Sequence, residues 1–237
     1  MLIPILAVGA GVVLLASSRK ASSRGSERPA GGSRSPTKLP ADVEPPRPFR
    51  ETPFAAGIAR PLWPLLTGHQ RGRTLSYRGD RSGKYFGNWA RRFGAPRGNG
   101  ARYHAGVDLF ANPGDRVVAM ADGEVVRVQR NFHLGASAVM VDHGDVSVLY
   151  GEVDARSVPE LGIEAGVRVR AGQTIARVAC MADFDDDGDC DSHMLHLETY
   201  TEANRNSPWY KSKGRPSNLR DPSLLLLRAL HASPANA

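Results

Sequence analysis

Short valine-rich runs broken by glycine, aspartate and asparagine constrain this chain more than any other feature. Residues 115–120, 123–128, 138–144 and 146–150 carry such runs at hairpin-like intervals, and β-branched residues favour the pleated, half-buried surface of a strand. With 25 glycines and 17 prolines the chain favours many short elements over long helices. The expected fold class is therefore all-β, with antiparallel sheets of short strands. Gly114-Asp115-Arg116-Val117 and Gly166-Val167-Arg168-Val169 introduce similar turns, the second leading to residues 171–178; this weak echo suggests two related hairpin units. Near the end, Asp221-Pro222 starts a short C-terminal helix through 224–227 and Leu230, whose leucines are expected to pack.

The chain divides into an N-terminal membrane segment at 1–18, a basic Ser/Pro-rich linker at 19–53 with almost no large apolar residues, and a domain at 54–237. Residues 2–16 are continuously apolar and are followed by Ser17-Ser18-Arg19-Lys20. The run is shorter than the roughly 20 residues that span a bilayer comfortably, yet longer than most signal-peptide cores. Only the amino terminus precedes it, which favours an uncleaved anchor over a cleaved signal. Arg19 and Lys20 would hold that flank in the cytoplasm by the positive-inside rule, against an extracytoplasmic domain; a virion membrane is one way out. Anchor and signal both stay open.

The formal net charge of +7 implies an anionic environment: nucleic acid, phospholipid or cell-wall polymer. No base-reading signature accompanies the charge, because the basic residues are spread through loop-like stretches, so a specific nucleic-acid partner is not expected. Residues 83–97 mix aromatics, glycines and arginines in a pattern that suits a loop lining a groove for sugar or peptide. The other fate of Trp89 and Phe93 is the core. Cys180 and Cys190 flank an acidic loop and read either as a disulfide closing a short ring or as two thiols.

Chemistry concentrates in two places. His104 and Asp108 stand four residues apart in a strand-like stretch, so they face the same way. Far downstream, His196 lies in the apolar run Met194-Leu195-His196-Leu197-Glu198. Two imidazoles and one carboxylate leave one tetrahedral position open, the arrangement of a catalytic zinc site.

Phe93-Gly94, His104-Ala-Gly-Val-Asp108, Pro113-Gly114, residues 121–125, Asp142-His143-Gly144, Tyr150-Gly151, residues 169–175 and Leu195-His196-Leu197-Glu198 together resemble the M23 family of zinc metallopeptidases. These are the lysostaphin and LytM-type endopeptidases that cut the peptide cross-links of bacterial peptidoglycan. The resemblance implies His104, Asp108 and His196 as zinc ligands, peptidoglycan as partner, and a membrane-associated extracytoplasmic or virion location. A lipoyl-like carrier, suggested by Gly172-Gln173-Thr174-Ile175, fails because its hairpin turn has no lysine.

Two departures carry equal weight. The family's closing His-x-His has Met194 in its first position, and its Tyr-Gly-His element reads Tyr150-Gly151-Glu152. Glu152 is the expected general base, since a carboxylate can take a proton from water and deliver it to the leaving amine. His143 or Tyr150 is the expected oxyanion donor. His193 could substitute for the missing imidazole if the last strand begins after it. Glu198 should share a face with His196 and orient its ring. The alternative is a catalytically degenerate domain that binds the wall or regulates. Finally, Asp183, Asp185, Asp187 and Asp189, with Gly188 sixth, have the spacing of a calcium loop. Met194 falls where a bidentate glutamate would close it, and a solvated acidic loop is the competing reading.

Overall fold

In the computed structural model, residues 58–75, 90–183, 187–203 and 208–232 are described. The predicted membrane segment, the linker, Trp89 and Asp185 lie outside them. Among the described residues no helix is long and apolar enough to cross a membrane.

Among the described residues thirteen strands run in chain order: β1 (Leu65–Leu66), β2 (Pro96–Arg97), β3 (Arg102–Tyr103), β4 (Val107–Phe110), β5 (Arg116–Val118), β6 (Gly123–His133), β7 (Ala136–Asp142), β8 (Ser147–Val153), β9 (Arg168–Val169), β10 (Thr174–Arg177), β11 (Met194–Tyr200), β12 (Trp209–Tyr210) and β13 (Leu219–Arg220). Among the described residues they are accompanied by the α-helices α1 (Ser157–Glu160) and α2 (Ser223–Ala232) and a 3-10 turn at Lys211–Lys213. All strand pairings are antiparallel, as the valine-rich pattern predicts.

The main sheet has the order β13-β11-β8-β7-β6-β9, and β4 joins the edge of β11 beside β13. Its centre is nearly continuous apolar sequence because both faces are covered: Val139, Val141, Val148, Leu149, Leu195 and Leu197 are at most 1% exposed. Each such aliphatic side chain contributes about 1.5–3 kcal/mol on burial. The β6–β7 hairpin turns through Leu134 and Gly135, both at positive φ (43° and 83°), which matches the right-handed twist of its strands.

The two similar glycine turns do not build equivalent hairpins. The first leads to β5, in a small sheet of order β1-β5-β10, whereas the second leads to β9, at the edge of the main sheet. Four residues of likeness specify a turn but not the partner that the following strand finds. Phe93 goes to the core, 7% exposed and 5.2 Å from the Trp209 ring. Asp221 accepts a hydrogen bond from the Ser223 amide (2.8 Å) and so caps α2. That helix buries Leu225, Leu226 and Ala229.

Candidate metal centre

The pairing of β4 with β11 places His196 directly opposite Asp108. Directly opposed residues share a face, so this register alone brings the carboxylate and the imidazole together. His104 arrives differently. It lies between β3 and β4, outside either strand, so strand alternation does not aim it. A backbone clamp does: the His104 amide donates to Ala95 O (2.8 Å), and Gly94 N donates to His104 O (2.9 Å).

His104 Nε2, Asp108 Oδ1 and His196 Nδ1 converge, with His104–Asp108 at 3.0 Å, His196–Asp108 at 2.8 Å and His104–His196 at 3.1 Å. All three residues are buried, and among the described residues they form a group of side chains able to hold a metal ion. The outer ring nitrogens are already committed. His104 Nδ1 donates to the Arg92 carbonyl (2.8 Å), and His196 Nε2 donates to Glu198 Oε1 (2.9 Å), whose other oxygen accepts from the Tyr200 hydroxyl. Two lone-pair nitrogens and a carboxylate oxygen therefore face one another, an arrangement that needs a shared cation, either a proton or a metal. Zinc at its usual ligand distances of about 2.0–2.1 Å would separate tetrahedral ligands by about 3.3 Å. The donor set and its spacing fit zinc.

The electrostatics agree with this demand for a cation. Burial opposes ionisation of Asp108, but the adjoining His104 and His196 outweigh it and hold the carboxyl well below the usual carboxylate range. Burial also opposes charge on His196, yet hydrogen bonds to Asp108 and Glu198 raise its pKa well above the ordinary value. Arg97 adds a contact to the outer Asp108 oxygen, Oδ2, at 3.3 Å.

Two glycines make room for the central ring. A Cβ on Gly106 would lie 2.9 Å from two atoms of the His196 imidazole, and one on Gly151 would lie 3.2 Å from a third. Real Cβ atoms do not approach below 3.0 Å, so Gly106 admits no side chain without moving His196. The Phe132 ring, 5.7 Å from His196, covers the same side as Gly151.

Glu152 reaches this site through an irregularity. Gly151 lies opposite His196, so alternation alone would send the next residue to the other face. The β7–β8 register, however, runs from Ala138↔Gly151 to Ser137↔Val153, which leaves Glu152 as the extra residue of a bulge. Its φ of 62° is left-handed, a conformation that costs a non-glycine residue of order 1–3 kcal/mol. The side chain lines the same cleft as His104, Asp108 and His196. It is 8% exposed, and Oε2 has no hydrogen-bond partner among the described residues. Burial above all pushes its carboxyl up to about 7.

Other sequence-predicted residues go elsewhere. Tyr150 pairs with Leu197, on the face opposite His196. There its fully buried hydroxyl accepts from the Met120 amide (2.9 Å) and lies 3.1 Å from His143 Nε2. Neither Tyr150 nor His143 lines the cleft, because an unbroken strand places consecutive residues on opposite faces. β11 does begin after His193, yet that ring turns away to Ala111 O, 2.5 Å from Nδ1. Met194 lies opposite Phe110, with Arg91 above both: its guanidinium is 4.1 Å from the Phe110 ring centre and 3.7 Å from Met194 Sδ. Arg91 belongs to the 83–97 stretch expected to line a groove, but no spacing in the sequence ties it to the strand it covers.

In the acidic loop, Asp183 Oδ2 accepts from Gly188 N (2.9 Å) and Asp187 Oδ1 from Asp189 N (2.8 Å), so these carboxylates are engaged with their own backbone. Cys180 and Cys190 form a disulfide.

Several solved structures are similar to this chain. Lysostaphin, the antimicrobial peptidase of Staphylococcus simulans, is 22% identical over 62% of this chain and 51% of its own, with a TM-score of 0.43. Its catalytic domain is 24% identical over 57% of this chain and 89% of that domain, with a TM-score of 0.40. A zinc-containing peptidase from Vibrio cholerae is 22% identical over 45% and 29%, with a TM-score of 0.34. The chain thus spans about half, or less, of the full-length relatives among these. No curated protein matches it. The model of peptidase family M23 matches residues 102–208, the stretch that supplies His104, Asp108, Glu152 and His196. Over this stretch the chain is similar to peptidase family M23.

Proposed function

We propose that this chain is a zinc-dependent endopeptidase that cuts the peptide cross-links of bacterial peptidoglycan. One observation carries the reading: two imidazole lone pairs and a carboxylate oxygen converge within 3.1 Å, with their outer nitrogens already hydrogen-bonded. His104, Asp108 and His196 would hold the metal, and Glu198 and the Arg92 carbonyl fix the tautomers that leave Nδ1 of His196 and Nε2 of His104 free for it. Zinc when bound supplies a Lewis acid for the scissile carbonyl and lowers the pKa of water. Glu152 takes the proton from the attacking water and returns it to the leaving amine. A carboxyl titrating near neutral pH serves both steps. Arg91 and Arg97 add fixed positive charge around Asp108 and Glu152, while Phe132 limits water on the far side of His196.

The Cys180–Cys190 disulfide supports an oxidising, extracytoplasmic setting, the cell envelope or a virion, with residues 2–16 as membrane segment. A second reading has its own observation. Met194, packed under Arg91, holds no proton-transfer group where the family has histidine, which suits a domain that binds wall without cutting it.

Incubating the full-length chain with zinc and peptidoglycan separates the two. New amine termini from the parent and none from Glu152→Gln support the enzyme. No release from either, with both still pelleting with sacculi, replaces it with the binding module. Calcium in the 183–189 loop is proposed on spacing alone: it predicts a rise in melting temperature with calcium that Asp187→Asn removes, and no rise ends it.

A further inference from the structure

The cleft at the metal centre, about 280 Å³, has a cationic outer wall of which the hydrolytic chemistry uses Arg97 but not Arg102. β2 and β3 place Arg97 directly opposite Arg102. Like charges directly opposed on neighbouring antiparallel strands are destabilising. Arg97 is partly compensated by Asp108. Arg102 is not: among the described residues no carboxylate pairs with it. It is exposed at the cleft mouth, and across from it the β6–β7 hairpin presents Gln129 and His133. Burial first, then the Arg102 charge, holds the His133 imidazole below its ordinary value, so His133 faces the cleft as a neutral donor or acceptor. The floor between these walls is aromatic, with the Tyr103 and Trp209 rings 5.0 Å apart. A repulsive arginine pair, an aromatic floor and amide and imidazole groups opposite form a site for an anion on an extended chain.

The geometry points to Arg102 as a specificity-determining residue that binds a free carboxylate on the substrate peptide, next to the scissile bond. The site thereby selects acidic over amidated cross-linked peptides. This rests on the endopeptidase reading only for the identity of the scissile bond. The guanidinium fork matches a carboxylate in a way that a lysine ammonium does not.

The test uses two synthetic branched peptides that differ only in a free carboxylate or a carboxamide beside the scissile amide, with the zinc-loaded full chain. The parent should cleave the carboxylate peptide about tenfold better in kcat/KM, the size of one charge-assisted contact at a partly exposed site. Arg102→Gln should erase that preference through KM, leaving kcat and the carboxamide peptide unchanged, and Arg102→Lys should restore part of it. Raising the ionic strength should shrink the preference in the parent alone. Equal cleavage of both peptides by the parent, or an equal loss on both in Arg102→Gln, overturns the assignment. If neither peptide is cut, the endopeptidase reading fails. Calorimetric binding then decides the inference by itself, with carboxylate-selective binding lost in Arg102→Gln for it and equal binding of the peptides against it.

Discussion

The β4–β11 pair and the bulge on β8 supply the same cleft by opposite means. On β4 and β11 regular register does the work: His196 stands opposite Asp108, flanked by Leu195 and Leu197 at full burial. On β8 regularity is broken, and Glu152 enters the cleft only because an extra residue in left-handed conformation turns it there. The first arrangement is reinforced by the sheet around it, so it is stable and rigid, as metal ligands must be. The second holds a strained backbone and a buried carboxylate oxygen without a partner, both of which oppose folding. On the proposed function, regular pairing holds the metal and the strained bulge carries the reacting group.

The largest effect should come from breaking the regular part. His196→Ala removes the ligand at the centre of the triangle, and zinc per chain after dialysis should fall to background together with all hydrolysis. Retained stoichiometry would refute the ligand set. Breaking the irregular part should leave the metal in place: Glu152→Gln should keep zinc content while kcat drops by about 10²–10⁴-fold, the usual span of general acid–base catalysis. A matching loss of zinc would merge the two roles that the proposed mechanism keeps apart.

Smaller effects sharpen the same contrast in the metal-free protein. Burial lifts the Glu152 carboxyl from its ordinary 4.5 to about 7 in the folded state. Below pH 4.5 it is protonated in both states. Between 4.5 and 7 the folded protein holds a proton that the unfolded chain releases, so its contribution to stability falls as pH rises, by up to about 3 kcal/mol. Denaturant unfolding on either side of that window should show Glu152→Gln losing less stability than the parent, and parallel curves would disprove the burial argument. The least change is expected from Glu152→Gly, which accepts a φ of 62° without strain and should make the metal-free protein about 1 kcal/mol more stable, read as a higher denaturation midpoint.

The antiparallel β class was legible because valine runs punctuated by turn residues admit few alternatives, whereas the meeting of His196 and Asp108 was legible only through the resemblance to the M23 family, because a period of two gives the face of each side chain but not its partner strand. His104 was legible by spacing for a reason that does not hold: it lies outside β4, and its backbone bonds to Ala95 and Gly94, distant in local pattern, aim it instead. His143 and Tyr150 look close to Glu152 along the chain, yet one residue of alternation places Tyr150 on the opposite face, and His143 packs against it there. The Arg97–Arg102 opposition was hidden because neither residue announces its cross-strand neighbour.

Sequence by itself determined the donor types, the strands that carry Asp108 and His196, and the glycines at 106 and 151, because these follow from local periodicity and residue chemistry. Only the tertiary structure decided that Glu152 faces His104, Asp108 and His196, that Arg91 covers Met194, and that Arg102, with no carboxylate partner among the described residues, stands at the cleft. The physical reason is that a bulge, a cross-strand neighbour and a buried orphan oxygen are properties of pairing between distant segments, and no window of sequence contains both partners.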